Sequence, residues 1–123
     1  MVAIFTERLQ NRQPILINGK GEQRRDLVYV ADVVDSLLTM ARSNRNGTWN
    51  VGTAVSTSIL KLLHELKREI ELATEIRHGP KRPGDVYDSR LSKASIENNL
   101  GWRPEYDLAD GIAYMIRKAN ADR

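Results

Sequence analysis

Helical segments outnumber strand-like segments along this chain of 123 residues. The clearest helical signal covers residues 56–73, where hydroxyl residues that can cap a helix precede apolar residues at helical spacing. Strand-like runs are confined to three short stretches, two around residues 19–21 and one at residues 48–53. Three short strands seldom form an independent sheet, because each strand needs a neighbour or a protected edge. The pattern therefore predicts a mixed α/β chain (α+β in character) that is part of something larger.

The order of predicted elements is helix, strand, strand, helix, strand, helix, loop, helix, helix. Gly19 and Gly21 lie in the turn between the first two strands, because glycine readily adopts the positive φ that a tight turn requires. The other predicted elements are a helix over residues 1–11, a helix capped by Asp32, a strand over 48–53, a helix over 56–73, a loop over 78–85, a helix over 93–99 and a last helix capped by Asp107. We expect residues 1–123 to form a single domain.

The composition argues against several classes of function. The chain has no cysteine, so it forms no disulfide, and His64 and His78 lie too far apart to predict a metal site. No apolar run reaches the roughly 18 residues that span a bilayer, so we expect no membrane partner. The absence of cysteine fits a reducing compartment, so we expect a cytoplasmic location. The net charge of +3 comes from interspersed signs, as in "HELKREIE", and is weak evidence for a polyanion. We therefore expect no nucleic acid partner.

Two loops place arginine beside glycine and aspartate. Arg24 and Arg25 follow the glycine turn, and because side chains alternate along a strand, one should face inward and the other solvent. The loop "KRPGD" places Arg82 before a proline and a glycine, and Asp85 follows. Arginine forks bind two phosphate oxygens at once, so two such loops can clamp a diphosphate. Each loop taken alone is equally compatible with a solvated turn that carries a surface ion pair.

Four motifs occur in an order that resembles the nucleotide-sugar epimerases and dehydratases of the extended short-chain dehydrogenase/reductase family. "PILINGKGEQRRDLVYVADVVDSLL" resembles the family's short strand, its Gly-x-Gly-x-Gln-x-Arg-Asp segment and its Val-x-Asp. "TWNVGT" resembles an aromatic-Asn-Val-Gly strand, "RPGDVYDS" an Arg-Pro-Gly-Asp loop, and "NLGWRP" a Leu-Gly-Trp-x-Pro turn. Together the motifs cover essentially the whole chain.

The resemblance implies a binding site for a nucleotide sugar. The two arginines are expected to contact the diphosphate, an aspartate to lie near the ribose, and a strand backbone to lie against the base. A UDP-sugar is the first expectation, ahead of dTDP- and GDP-sugars. The residues expected to contact this ligand are Arg25, Arg82, Asp85, Leu16, Ile17 and Asn18.

Three further residues are expected to support the site without contacting the ligand. By the same resemblance, Gln23 and Asp26 hold the loop that presents Arg25. Asn50 lies in the segment that resembles the aromatic-Asn-Val-Gly strand, and its expected role is structural.

No segment of this sequence is assigned to the family's catalytic motifs. Gly19-Lys20-Gly21 is only Gly-x-Gly and leads into a predicted strand, so it does not match the dinucleotide-binding fingerprint. Tyr114 and Lys118 have the family's Tyr-x-x-x-Lys spacing, but Tyr114 can simply extend the apolar face of the last helix. We therefore assign no catalytic residue to this chain. NAD is expected in the intact family enzyme, and not on this chain alone.

The resemblance identifies the chain as the C-terminal substrate-binding part of a UDP-glucose 4-epimerase-like enzyme. It is expected to be a small domain of helices and short strands that lacks the Rossmann core, with that Rossmann half as its missing partner. The alternative is a degenerate or truncated relative that has lost ligand binding and persists as a module forming homo-oligomers.

Overall fold

The computed structural model describes residues 1–121, which contain five helices and five short strands. The strands are two to four residues long, so helices dominate the fold and the expected mixed α/β class is confirmed. In chain order the elements are α1 (Val2–Gln10), β1 (Ile15–Asn18), β2 (Arg24–Arg25), α2 (Val30–Arg42), β3 (Thr57–Ser58), α3 (Ile59–Ile70), β4 (Ile76–Gly79), β5 (Asp88–Ser89), α4 (Ala94–Leu100) and α5 (Leu108–Ala121).

The strands form two small sheets. β1 and β4 pair in parallel, from Ile15 opposite Ile76 to Asn18 opposite Gly79. In the second sheet β2 is central, antiparallel to β3 and parallel to β5. Within residues 1–121, β1 has a strand neighbour on one side only, so its other edge is open.

The core lies between β1 and the helices α1, α3 and α5. Strand β1 alternates, with Ile15 and Ile17 buried and Leu16 and Asn18 exposed. Helix α3 buries Leu62, Leu63 and Leu66 along one stripe. Its N-cap is Ser58, whose Oγ accepts the N–H of Lys61 at 3.1 Å, as the run of hydroxyl residues predicts. The helix predicted over 56–73 is thus confirmed with shorter bounds.

The strand predicted over residues 48–53 is wrong. The structure has no strand there, and the strand of this region is β3, which directly precedes α3. The backbone N–H groups of Thr53 and Ala54 donate to the carboxylate of Asp26 at 2.9 and 3.0 Å. Because a side chain satisfies these donors, the segment needs no partner strand to do so.

The predicted cap of the second helix is also wrong. Helix α2 begins at Val30, and Asp32 lies inside its first turn. The Asp32 side chain is only 3% exposed, and its carboxylate accepts the N–H groups of Glu105 and Tyr106 at 2.9 and 3.2 Å. Asp32 therefore joins α2 to the segment that precedes α5.

The predicted loop over residues 78–85 is partly a strand, because His78 and Gly79 complete β4. The last two helices agree with prediction. Helix α4 ends at Leu100, and its C-cap Gly101 has a φ of 69°. At the start of α5, Asp107 accepts the N–H of Asp110 at 2.8 Å.

Helix α2 has an inverted distribution of polarity. Its two buried side chains, Asp32 and Ser36, are polar. Its apolar side chains face outward as a stripe with exposed fractions of 64%, 50%, 58% and 46%, formed by Val30, Val34, Leu37 and Leu38. We call this set the α2 stripe. None of the described helices is long and apolar enough to cross a membrane.

Candidate functional site

A cleft of about 380 Å³ opens where α1, β1 and the two arginine loops meet. One wall is apolar and comes from α1 and the start of α3, and the other carries the charged side chains. The cleft is lined by Met1, Ile4, Phe5, Leu16, Ile17, Asn18, Gln23, Arg25, Ile59, Arg82 and Asp85.

Arg25 is held firmly on the charged wall. Its Nη1 donates to the carbonyl oxygens of Arg24 and Val86 at 2.7 and 2.6 Å. Its Nη2 donates to Oδ1 of Asp85 at 2.9 Å. A guanidinium has five N–H donors, so these three contacts leave two donors for a ligand. Arg25 is therefore a cation in a fixed position that still has N–H donors for a ligand.

The neighbouring Arg24 faces away from the cleft, as the alternation of strand residues predicts. Its Nε donates to Ser56 Oγ at 3.0 Å, and its Nη2 donates to the carbonyl oxygen of Ser56 at 3.2 Å. Ser56 in turn donates to the carboxylate of Asp88 at 2.7 Å. Arg24 is thus a surface residue next to Arg25 in sequence but on the opposite face of β2.

Arg82 lines the same cleft as Arg25. It is exposed, and its guanidinium makes no hydrogen bond or ion pair with any residue between 1 and 121. Its carbonyl oxygen accepts the N–H of Asp85 at 3.3 Å across a turn in which Gly84 has a φ of 76°. The turn therefore sets the position of the Arg82 backbone and leaves all five side-chain donors free.

Gln23 joins β1 to the Arg82 loop on the charged wall of the cleft. Its side chain is 7% exposed, and its Nε2 donates to the carbonyl oxygen of Asn18 at 2.8 Å and to Oδ2 of Asp85 at 3.4 Å. Its carbonyl oxygen accepts the N–H of Ile59 at 3.0 Å. Gln23 thus joins the end of β1 to the Arg82 loop through its side-chain amide, and it contacts the start of α3 through its backbone carbonyl.

Asp26 braces the other side of β2. Its Oδ1 accepts the N–H and the hydroxyl of Thr53, and its Oδ2 accepts the N–H groups of Ala54 and Leu91 at 3.0 and 3.2 Å. Burial raises the pKa of Asp26, but these hydrogen bonds outweigh that effect and leave the pKa below its ordinary value. A Cβ on Gly52 would lie 2.8 Å from Oδ2 of Asp26, so the approach requires glycine.

The open edge of β1 presents backbone groups on the side away from β4. Ile15 and Gly19 donate their N–H groups to the β4 side, at 2.9 Å in each case. Backbone direction alternates along a strand, so the N–H and C=O groups of Leu16 and Asn18 face the opposite edge. The Asn18 carbonyl there already accepts Gln23, which leaves the Leu16 pair and the Asn18 N–H.

The cleft brings together all six residues predicted to contact the ligand, together with Gln23. Asp26 and Asn50 do not line it. Asn50 is exposed, and its predicted place on a strand is wrong because residues 49–54 form no strand. The apolar wall of Met1, Ile4 and Phe5 was not predicted, because nothing in the local pattern of α1 shows which loop it will contact.

Tyr114 lies elsewhere, in a group of three tyrosine rings. Its ring centroid is 5.3 Å from that of Tyr106 and 6.2 Å from that of Tyr29, and the guanidinium of Arg117 lies 4.7 Å from its centre. Neither Tyr114 nor Lys118 lines the cleft.

The turn at Gly19 and Gly21 does not have the form of a dinucleotide site. A dinucleotide site places the pyrophosphate at a helix N-terminus directly after a strand. Strand β1 leads instead into the turn at Gly19 and then into β2. Among residues 1–121 no group of three or more histidine, aspartate or glutamate side chains is arranged to hold a metal ion.

Comparison with known proteins gives consistent matches over nearly the whole chain. A sequence model of the family described as GDP-mannose 4,6 dehydratase matches residues 2–115. UDP-glucose 4-epimerase of Mycolicibacterium smegmatis is 38% identical over 117 residues, which are 94% of this chain and 37% of that protein.

Solved structures match equally well. The crystal structure of UDP-glucose 4-epimerase with UDP-glucose from Thermotoga maritima has a TM-score of 0.92 and 35% identity, covering 98% of this chain and 39% of that chain. The Thermus thermophilus UDP-glucose 4-epimerase in complex with NAD has a TM-score of 0.88 and 29% identity, covering 99% of this chain and 40% of that one. The chain thus spans well under half the length of these relatives, and it belongs to the nucleotide-sugar epimerase and dehydratase family of extended short-chain dehydrogenases/reductases.

Proposed function

We propose that this chain forms the nucleotide-sugar-binding part of an NAD-dependent epimerase or dehydratase similar to UDP-glucose 4-epimerase. The observation that carries the proposal is the shared cleft of Arg25 and Arg82. One arginine is fixed with two donors free and the other is unpaired within residues 1–121, so together they suit a ligand with two adjacent phosphates.

The rest of the cleft suits the nucleoside. The open edge of β1 offers the C=O and N–H of Leu16 and the N–H of Asn18, which can pair with the donor and acceptor edge of a base. The apolar wall from α1 can cover its face. A UDP-sugar is the proposed ligand because the matched Thermotoga maritima enzyme was solved with UDP-glucose.

The chain is proposed to orient the sugar and not to perform hydride or proton transfer. Binding energy spent on the nucleotide would place the sugar beside NAD held by a dinucleotide-binding portion. The Thermotoga maritima enzyme extends over a further 61% of its chain outside the 39% that matches. We propose that such a portion covers the α2 stripe, whose outward apolar side chains otherwise face water.

The test of ligand binding is an NMR titration of the ¹⁵N-labelled chain with UDP. The expected result is that amide shifts change at β1 and at both arginine loops, and that Arg25→Ala weakens binding roughly 10- to 100-fold through loss of charge-assisted contacts. Arg24→Ala is the matched control, because it removes the adjacent arginine from the opposite face. Absence of shifts at 10 mM UDP, or equal effects of the two variants, would contradict the proposal.

The α2 stripe favours a second candidate, a self-associating module without ligand binding. Sedimentation velocity distinguishes the two when this chain is mixed with the unmatched portion of the Thermotoga maritima enzyme. The proposal expects a mixed complex that is lost in Leu37→Glu. Self-association of this chain alone, with no UDP-dependent shifts at the cleft, would support the second candidate instead.

A further inference from the structure

We infer that Asp85 is a positioning residue, which orients the Arg25 guanidinium for a phosphate and acts on the ligand through that arginine. The inference rests on the proposed nucleotide-sugar site and deepens it. It differs from the role that the family resemblance implies, in which the carboxylate lies near the ribose.

The first support is the way in which the Asp85 carboxylate is engaged. Its side chain is 26% exposed and that of Arg25 is 28% exposed, so the pair is largely shielded from water. Oδ1 accepts Arg25 Nη2 at 2.9 Å, and Oδ2 accepts Gln23 Nε2 at 3.4 Å. Each carboxylate oxygen therefore already faces a protein donor.

The second support is the geometry of the guanidinium. The carbonyl oxygens of Arg24 and Val86 both accept from Nη1, so they hold only one corner of the planar group. Among residues 1–121, Asp85 alone holds Nη2. Without the Asp85 contact, the guanidinium plane of Arg25 can rotate about Nη1, and its two free N–H donors are no longer held in one orientation toward the ligand.

The third support is the placement of charge. A carboxylate beside a phosphate site repels the ligand, and its orientation of Arg25 offsets that repulsion. Arg82 in the same cleft has no such tether within residues 1–121 and must be ordered by the ligand itself. Because Arg25 is oriented before the ligand binds, binding loses the conformational entropy of only one long side chain, that of Arg82.

The test separates orientation from ribose contact by using two partial ligands. Inorganic pyrophosphate has no ribose, and uridine has no phosphate. If Asp85 acts through Arg25, Asp85→Ala weakens pyrophosphate binding about 3- to 10-fold, leaves uridine binding unchanged, and has no further effect in the Arg25→Ala background. Asp85→Asn should restore most of the affinity, because its amide oxygen can still accept from Nη2.

A second readout needs no ligand. Restricted rotation of the Arg25 guanidinium can be followed by ¹⁵Nη NMR, with Arg24 as the internal reference. Asp85→Ala should speed rotation at Arg25 and leave Arg24 unchanged, which general loss of structure would not do.

The outcomes distinguish this inference from the proposed function. Pyrophosphate affinity that is unchanged in Asp85→Ala, or a loss of uridine affinity instead, overturns the positioning role and leaves the binding site intact. If wild-type protein binds neither pyrophosphate nor uridine at 10 mM, the proposed function fails and the inference fails with it.

Discussion

Asp26→Asn is expected to destabilise the fold strongly, because one carboxylate holds together β2, the 53–54 turn and the start of the 91–93 segment. Each oxygen accepts two hydrogen bonds. In the variant, an NH₂ group replaces one oxygen, so at least one backbone N–H donor loses its acceptor and the remaining hydrogen bonds lose a charged acceptor. Hydrogen bonds to a charged acceptor contribute about 1.5–3 kcal/mol each, and partial exposure lowers that figure, so we expect a loss of about 3 kcal/mol. The corresponding fall in Tm is about 10 °C.

Urea unfolding followed by circular dichroism at pH 7 measures this loss. Asp88→Asn is the matched control, because the exposed Asp88 carboxylate accepts only the Ser56 hydroxyl within the part of the chain that the structure describes. This variant should cost less than about 1 kcal/mol. A loss below about 1 kcal/mol for Asp26→Asn would refute the reasoning.

The pH dependence gives an independent check on the same carboxylate. The pKa of Asp26 is lowered in the folded state, because its hydrogen bonds outweigh the opposing effect of burial. The resulting stabilisation is complete above the unfolded pKa of about 4 and disappears as the pH falls through the folded pKa. The gap between wild type and Asp26→Asn should therefore narrow below about pH 4. A gap that stays constant down to pH 2 would show that the charge contributes nothing.

Two further expectations concern the glycine turn and the arginine pair. In urea unfolding, Gly21→Ala should lower the free energy of unfolding by about 1–3 kcal/mol more than Gly101→Ala. Both glycines have positive φ, but only a Cβ at Gly21 would meet side-chain carbons of Leu60, at 2.9 Å. Equal losses in the two variants would contradict this. Arg82→Lys should keep most of the UDP affinity, whereas Arg25→Lys should lose most of it, because lysine cannot reproduce the three directed contacts of Arg25. Titration calorimetry with UDP measures both affinities. Equal losses would contradict the assignment of Arg25 as the fixed arginine and Arg82 as the free one.

The sequence predicted the helices better than the strands, and the reason is local. Helix α3 has an apolar stripe and a capping serine within one segment, so its pattern is complete in itself. Strands β2, β3 and β5 are two residues long and depend on partners elsewhere in the chain. The segment 48–53 has strand-like residues, but the backbone N–H groups at the end of this segment donate to the Asp26 carboxylate and not to a partner strand. No local sequence pattern predicts this contact with a distant side chain.

The same distinction applies to the cleft. The charged wall could be predicted because Gln23, Arg25, Arg82 and Asp85 lie in motifs that resemble a known family. Their contacts with one another could not be predicted, since the Asp85 to Arg25 ion pair joins residues 60 positions apart. Asp32 shows the limit most clearly, because it has the sequence features of a helix cap and instead binds amides 73 and 74 residues away.

The parallel pairing of β1 with β4 has a consequence for how the protein folds. Ile15 lies opposite Ile76, so this contact closes a loop of about 60 residues before any of its hydrogen bonds can form. Contacts of such long range slow the search for the native topology. The cleft is formed by β1 and by the loop that follows β4, so we expect the cleft to form only in the last, global step of folding. A bound ligand should therefore slow global unfolding of the protein more than it slows the fraying of any single helix.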